Sequence, residues 1–170
     1  MRGISLRDGL YLKPVGLAGG RPAGDLGFRV FKLASTNIRE WDPDRDDLPK
    51  TLQESIEHLK TDRTEADILY EILLKLGLDL TVPIEDKTIA GKQVHSVGAG
   101  ALIVCLAEKI GRKEIEPLAH GIADWRKELN PAGKTDVVFR DSAFDDDVAK
   151  SNITSILEQS GFDRERIRSL

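Results

Sequence analysis

The sequence predicts an α/β fold: a mixed, partly parallel sheet with flanking helices, preceded by a strand and a helical pair. Three observations carry this. Residues 101–106 (ALIVCL) are continuously apolar, as in a central strand covered on both faces. From residue 101 onward the pattern reads strand, helix, strand, helix, final edge strand, an alternation that implies parallel strands joined by crossovers. Before it, residues 64–76 carry a helical stripe, after which the period becomes extended.

Element by element, residues 1–25 hold six of the chain's 15 glycines and two prolines and read as a tail or linker before a domain over 26–170. Residues 27–33 (GFRVFKL) suit a half-buried strand, and 35–47 a polar loop. Residues 48–59 form the first expected helix, with Pro49 in its first turn and Leu52, Ile56 and Leu59 on one face. Residues 64–76 form the second. Thr64 and Asp67 resemble a capping pair, Leu69, Ile72, Leu73 and Leu76 form the apolar face, and Gly77 ends it. Strands follow over 80–84, 88–97 and 101–106, with bends at Gly91 and at Gly98-Ala99-Gly100. A helix over 115–129 presents Ile115, Leu118, Ile122, Trp125 and Leu129, and Asn130-Pro131 stops it. Residues 135–140 are a strand. Residues 145–160 are a helix with Val148, Asn152, Ile156 and Leu157 on one face, and 164–170 a final edge strand.

The 170 residues suffice for a core without staples, and 40% hydrophobic with 32% charged residues is ordinary globular composition. A net charge of −4 argues against a dedicated nucleic-acid-binding domain, which needs an excess of Lys and Arg. The single cysteine, Cys105, makes no intrachain disulfide and reads as a small buried hydrophobe, in keeping with a reducing cytoplasm. No apolar run approaches the roughly 20 residues of a membrane span, and no secretory signal precedes the domain.

No complete catalytic constellation is visible. Gly98-Ala99-Gly100 precedes a strand, not the helix that a phosphate loop requires. Asp145-Asp146-Asp147 suits a helix start, where carboxylates cap N–H groups. His58, His95 and His120 lack metal-ligand spacing, so no metal site is expected. Asp42-Pro43-Asp44-Arg45 lacks the second proline and the aromatic ring of an amino-methyltransferase loop. Arg140 and Asp141 follow a buried strand and precede a helix, where α/β folds place functional side chains; an internal ion pair holding that turn is the alternative. Arg164, Arg166 and Arg168 alternate and would share one face of a strand, as a solvated edge or as a contact for phosphate or an acidic partner.

Four segments, residues 25–42 (DLGFRVFKLASTNIREWD), 64–84 (TEADILYEILLKLGLDLTVPI), 100–106 (GALIVCL) and 137–152 (VVFRDSAFDDDVAKSN), resemble in order the C-terminal region of type III restriction–modification DNA methyltransferases, the Mod subunits. The resemblance covers about residues 25–170. Those enzymes transfer a methyl group from S-adenosylmethionine to adenine N6, act as dimers and join a Res helicase–nuclease subunit. Their Asp-Pro-Pro-Tyr and Gly-rich cofactor loops lie before the matched region, so the resemblance maps no catalytic and no cofactor-binding residue onto this chain. It implies an assembly role: dimer contacts, docking to the rest of the methyltransferase and to Res, and DNA contact through the whole complex. Arg140, Asp141, Arg164, Arg166 and Arg168 are the candidates for interaction or nucleic-acid contact. On this reading Met1 marks a gene fragment, a misplaced start or a split subunit. Rival readings are a free-standing interaction module of the same fold with no methylation role, and a small enzyme built around His95, Arg140 and Asp141.

Overall fold

The computed structural model describes residues 2–5, 30–37, 59–60 and 62–170. They fall into two compact units, residues 1–42 with 58–81 and residues 43–57 with 82–170.

In the first unit, β1 (Arg2–Ser5) pairs antiparallel with β2 (Lys32–Ser35). A strand thus forms within the stretch expected as a tail or linker; residues 6–25 lie outside the described residues. The strand expected over 27–33 is found further along: Val30 and Phe31 precede it, and Val30 is exposed. Cross-strand pairing decides the boundary, and no local propensity encodes it. The helix expected over 48–59, apart from Leu59, and the Asp42–Arg45 motif lie outside the described residues, as does His58.

Helix α1 (Glu65–Leu76) begins at Thr64, whose hydroxyl accepts from the Asp67 N–H while the Asp67 carboxylate accepts from the Thr64 N–H, a capping box with Asp in the place of Glu. Gly77 closes it at φ 69°, a left-handed conformation. Leu69, Ile72 and Leu73 are buried as expected, but Leu76 is exposed, because the helix ends there. Residues Asp67 to Leu73 are buried all round, and the Phe31 ring lies 5.0 Å from that of Tyr70.

The second unit is a five-stranded sheet in the order β3 (Ile84–Ile89), β4 (Lys92–Val97), β5 (Leu102–Cys105), β6 (Asp136–Phe139), β7 (Ile167–Ser169). The first three strands are antiparallel and the last three parallel, so the sheet is mixed as the sequence implied. The expected strand at 80–84 is a turn up to Ile84, and the expected strand over 88–97 is the far part of a hairpin. Ala90 and Gly91 supply its bend with φ of 50° and 76°.

Helix α2 (Ile115–Leu129) connects β5 to β6, and α3 (Asp147–Gln159) connects β6 to β7. Both cover the same face. Ile103, Cys105, Val137 and Phe139 of the sheet share one core with Ile115, Leu118 and Ile122 of α2 and Ala149, Ile153 and Leu157 of α3. Of the face expected on α3, Leu157 lies in this core and Ile156 packs against it, but Val148, 63% exposed, and Asn152 are turned outward, and Ala149 and Ile153 take their places. The opposite face carries Val97, Leu102, Val104 and Val138, all buried, so β5 is covered on both sides.

Candidate functional site

The parallel strands β5 and β6 end side by side, and their following loops meet through a bridge between Ile110 and Phe144. This end is where α/β sheets place reactive groups. Arg140 Nε donates to Ser142 Oγ at 3.0 Å. The Asp141 carboxylate is ion-paired with Lys150 of α3, and its backbone N–H donates to the Leu170 carbonyl at 2.8 Å. Asp141 thus ties the turn after β6 both to the next helix and to the end of the last strand. An ion pair at this turn joins Asp141 to Lys150, as the alternative reading of the turn expected.

The aspartates of α3 divide the work of its first turn. Asp146 is the N-cap and accepts from the Ala149 N–H at 2.7 Å; it also pairs with Arg112 from the β5–α2 loop. The Ala149 hydrogen bond, followed by that from Arg112, holds its carboxyl below the ordinary value. Asp145 pairs with Lys109 at 3.4 Å. Capping and cross-loop pairing account for all three acids once Asp147 is counted as the first helical residue. Among the described residues, no group of three or more His, Cys, Asp or Glu side chains could hold a metal ion.

The three C-terminal arginines do not form a strip. Arg164 and Arg166 lie in a 3-10 turn, and only Arg168 is on β7. Arg164 pairs with Glu158 at 3.4 Å, and Arg166 pairs with Asp136 at 2.9 Å and with Asp163 at 3.7 Å. Glu158 at the end of α3, Asp163 just after it and Asp136 at the start of β6 draw the first two arginines into local pairs, which overrides the alternation an extended chain would have. Arg168 is exposed on the strand and is the register partner of Val138.

His95 lies on β4, its Nδ1 2.6 Å from Asp86 Oδ1 across the hairpin. Register places it level with Val104 and Val138, two strands from β6, or about 10 Å. Its carboxylate partner is Asp86, and Asp141 is engaged by Lys150. His120 is exposed on α2, 4.0 Å from Glu116. Gly98-Ala99-Gly100 forms the β4–β5 bend, with φ of 63°, 52° and 89°. Cys105 is fully buried.

Spacing did not reveal a second polar centre, in the first unit. Glu71, 3% exposed in the middle of α1, accepts from the Thr36 hydroxyl at 2.5 Å and from the Asn37 N–H at 2.6 Å, and pairs with Lys75 at 3.0 Å. Asn37 Nδ2 donates to the Asp67 carbonyl at 2.9 Å. Thr36 and Asn37 belong to the first of the four quoted segments and Glu71 to the second, so the two are joined by buried, charge-assisted hydrogen bonds. Among the described residues, no helix is long and apolar enough to cross a membrane. No protein-family model, curated protein or solved structure matches the chain.

Proposed function

We propose that this chain is the C-terminal assembly and dimerisation segment of a type III restriction–modification DNA adenine-N6 methyltransferase, without the methyl-transfer and cofactor loops and inactive alone. The observation that carries the reading is the pairing of the four quoted segments. Thr36-Asn37 of the first closes on Glu71 of the second. The third and fourth supply the adjacent parallel strands β5 and β6. Segments that resemble one family in order also make the structural joints of this chain, and an independent coincidence of four short matches would not favour such joints. The charged groups at the ends of β5 and β6 favour a platform over a reaction centre, because Asp141, Asp145 and Asp146 are committed to Lys150, Lys109 and Arg112. S-adenosylmethionine then belongs to the rest of the enzyme, and DNA is reached through the complex.

The test is co-expression of the tagged chain with a methyltransferase fragment carrying the Asp-Pro-Pro-Tyr and Gly-rich loops and with a Res helicase–nuclease subunit. The expected result is co-purification and adenine methylation that appears only when the chain is present. A chain that purifies without both partners, or a fragment that methylates equally well without it, overturns the reading in favour of a free-standing interaction module.

A further inference from the structure

Two cations of the first unit converge on one neutral oxygen. Ser35, at the end of β2, has its Oγ 3.1 Å from Lys60 Nζ and 3.1 Å from an Arg63 terminal nitrogen, Nη2. A hydroxyl can accept both hydrogen bonds but compensates neither charge. Among the described residues the acid beside them is Asp62, 3.7 Å from Arg63 Nε and with its side chain 72% exposed. Arg63 is itself mostly covered, 15% exposed, and its Nε is buried with no hydrogen-bond acceptor. That Nε is closed to a ligand, so Arg63 can meet one only through its outer nitrogens, of which Nη2 already faces Ser35.

The backbone holds both cations in place. The Lys60 N–H donates to the Asn37 carbonyl at 2.9 Å, which ties residue 60 to the chain just after β2. Arg63 directly precedes Thr64, whose capping box fixes the start of α1. The cluster is therefore preorganised: the cost of bringing like charges together is met by the fold, and an oxyanion placed between them would relieve it.

We propose that Ser35, Lys60 and Arg63 form a binding site for a phosphate group. Lys60 Nζ and the outer guanidinium nitrogens of Arg63 donate to phosphate oxygens, and the Ser35 hydroxyl, which keeps its own proton, donates a third hydrogen bond. The site rests on this geometry alone and not on the assembly reading; its failure would leave co-purification with a methyltransferase fragment untouched.

The experiment titrates the purified chain with inorganic phosphate at ionic strength held constant with chloride, followed by calorimetry and by amide chemical shifts. Saturable binding is expected, with shifts at Ser35 and Arg63. Lys60→Gln and Arg63→Gln should each weaken it about tenfold or more, the loss of one charge-assisted contact, with the circular dichroism spectrum unchanged. A short labelled DNA duplex distinguishes the source. Displacement of the duplex by phosphate, with loss of duplex affinity in both variants, assigns the phosphate to a nucleic-acid backbone. Phosphate binding without duplex competition assigns it to a free phosphate compound. Absence of saturable phosphate binding, or shifts confined to residues remote from Ser35, overturns the proposal.

Discussion

Burial alone would push the Glu71 carboxyl toward its neutral form, yet hydrogen bonds from Thr36, Asn37 and Lys75 outweigh it and hold the group below its ordinary value. Glu71→Gln removes the charge and sets an amide N–H₂ against donors that need an acceptor. The expected cost is about 3 kcal/mol, within the range for breaking a buried charged network, read as a loss of hydrogen-exchange protection across α1. A group with a depressed folded-state pKa contributes stability that is present above its unfolded value and lost as pH falls through the folded one. The difference between wild type and Glu71→Gln should therefore be full near neutral pH and shrink in acid below the ordinary carboxylate range. A difference that is constant with pH would show that Glu71 is not ionised in the folded chain. The sequence offers no sign of this residue: it lies between Tyr70 and Ile72 on a helix whose apolar stripe says nothing about a glutamate, and its partners Thr36 and Asn37 are more than 30 residues away.

At the scale of elements, α2 meets the sheet edge at Gly121. A Cβ there would lie 2.2 Å from Ile89 Cγ2, so the glycine permits a close approach of α2 to β3. Gly121→Ala gains about 1 kcal/mol of helix propensity but overpacks a contact whose relief costs about 1–3 kcal/mol. A net fall in Tm of a few degrees is expected. Gly133→Ala, which meets nothing within 4 Å, should leave Tm unchanged; equal effects of the two would deny the close packing. What the sequence made legible follows the same division between local and distant causes. The bounds of α2, the capping box of α1, the cap of Gly77 and the two-sided burial of β5 are encoded by neighbours within a few residues, and all are found. Of the face expected on α3, Leu157 is buried and Ile156 packs against the core, while Val148 and Asn152 turn outward and Ala149 and Ile153 take their places. The choice is made by sheet residues distant in sequence. The arginine alternation at the C-terminus failed for a related reason: Glu158, Asp136 and Asp163 recruit Arg164 and Arg166.

For the molecule as a whole, the strand order of the second unit bears on cofactor binding. Open α/β sheets bind ligands beyond the carboxyl ends of their strands, in the crevice where successive crossovers pass to opposite faces. In this sheet β5, β6 and β7 are laid down in sequence, α2 and α3 cover the same face, and the β4–β5 connection is an antiparallel bend. The described parallel strands therefore have no point at which the winding reverses, and the loops after β5 and β6 are bridged to each other by Ile110 and Phe144 and by the Arg112–Asp146 pair. The purified chain is therefore expected not to bind S-adenosylmethionine. Equilibrium dialysis with the labelled compound should give no saturable uptake, while on the proposed function a mixture with a methyltransferase fragment that carries the Asp-Pro-Pro-Tyr and Gly-rich loops should bind it. Saturable binding by the chain alone would require a site that this winding does not create, and would overturn the assignment of this segment to assembly.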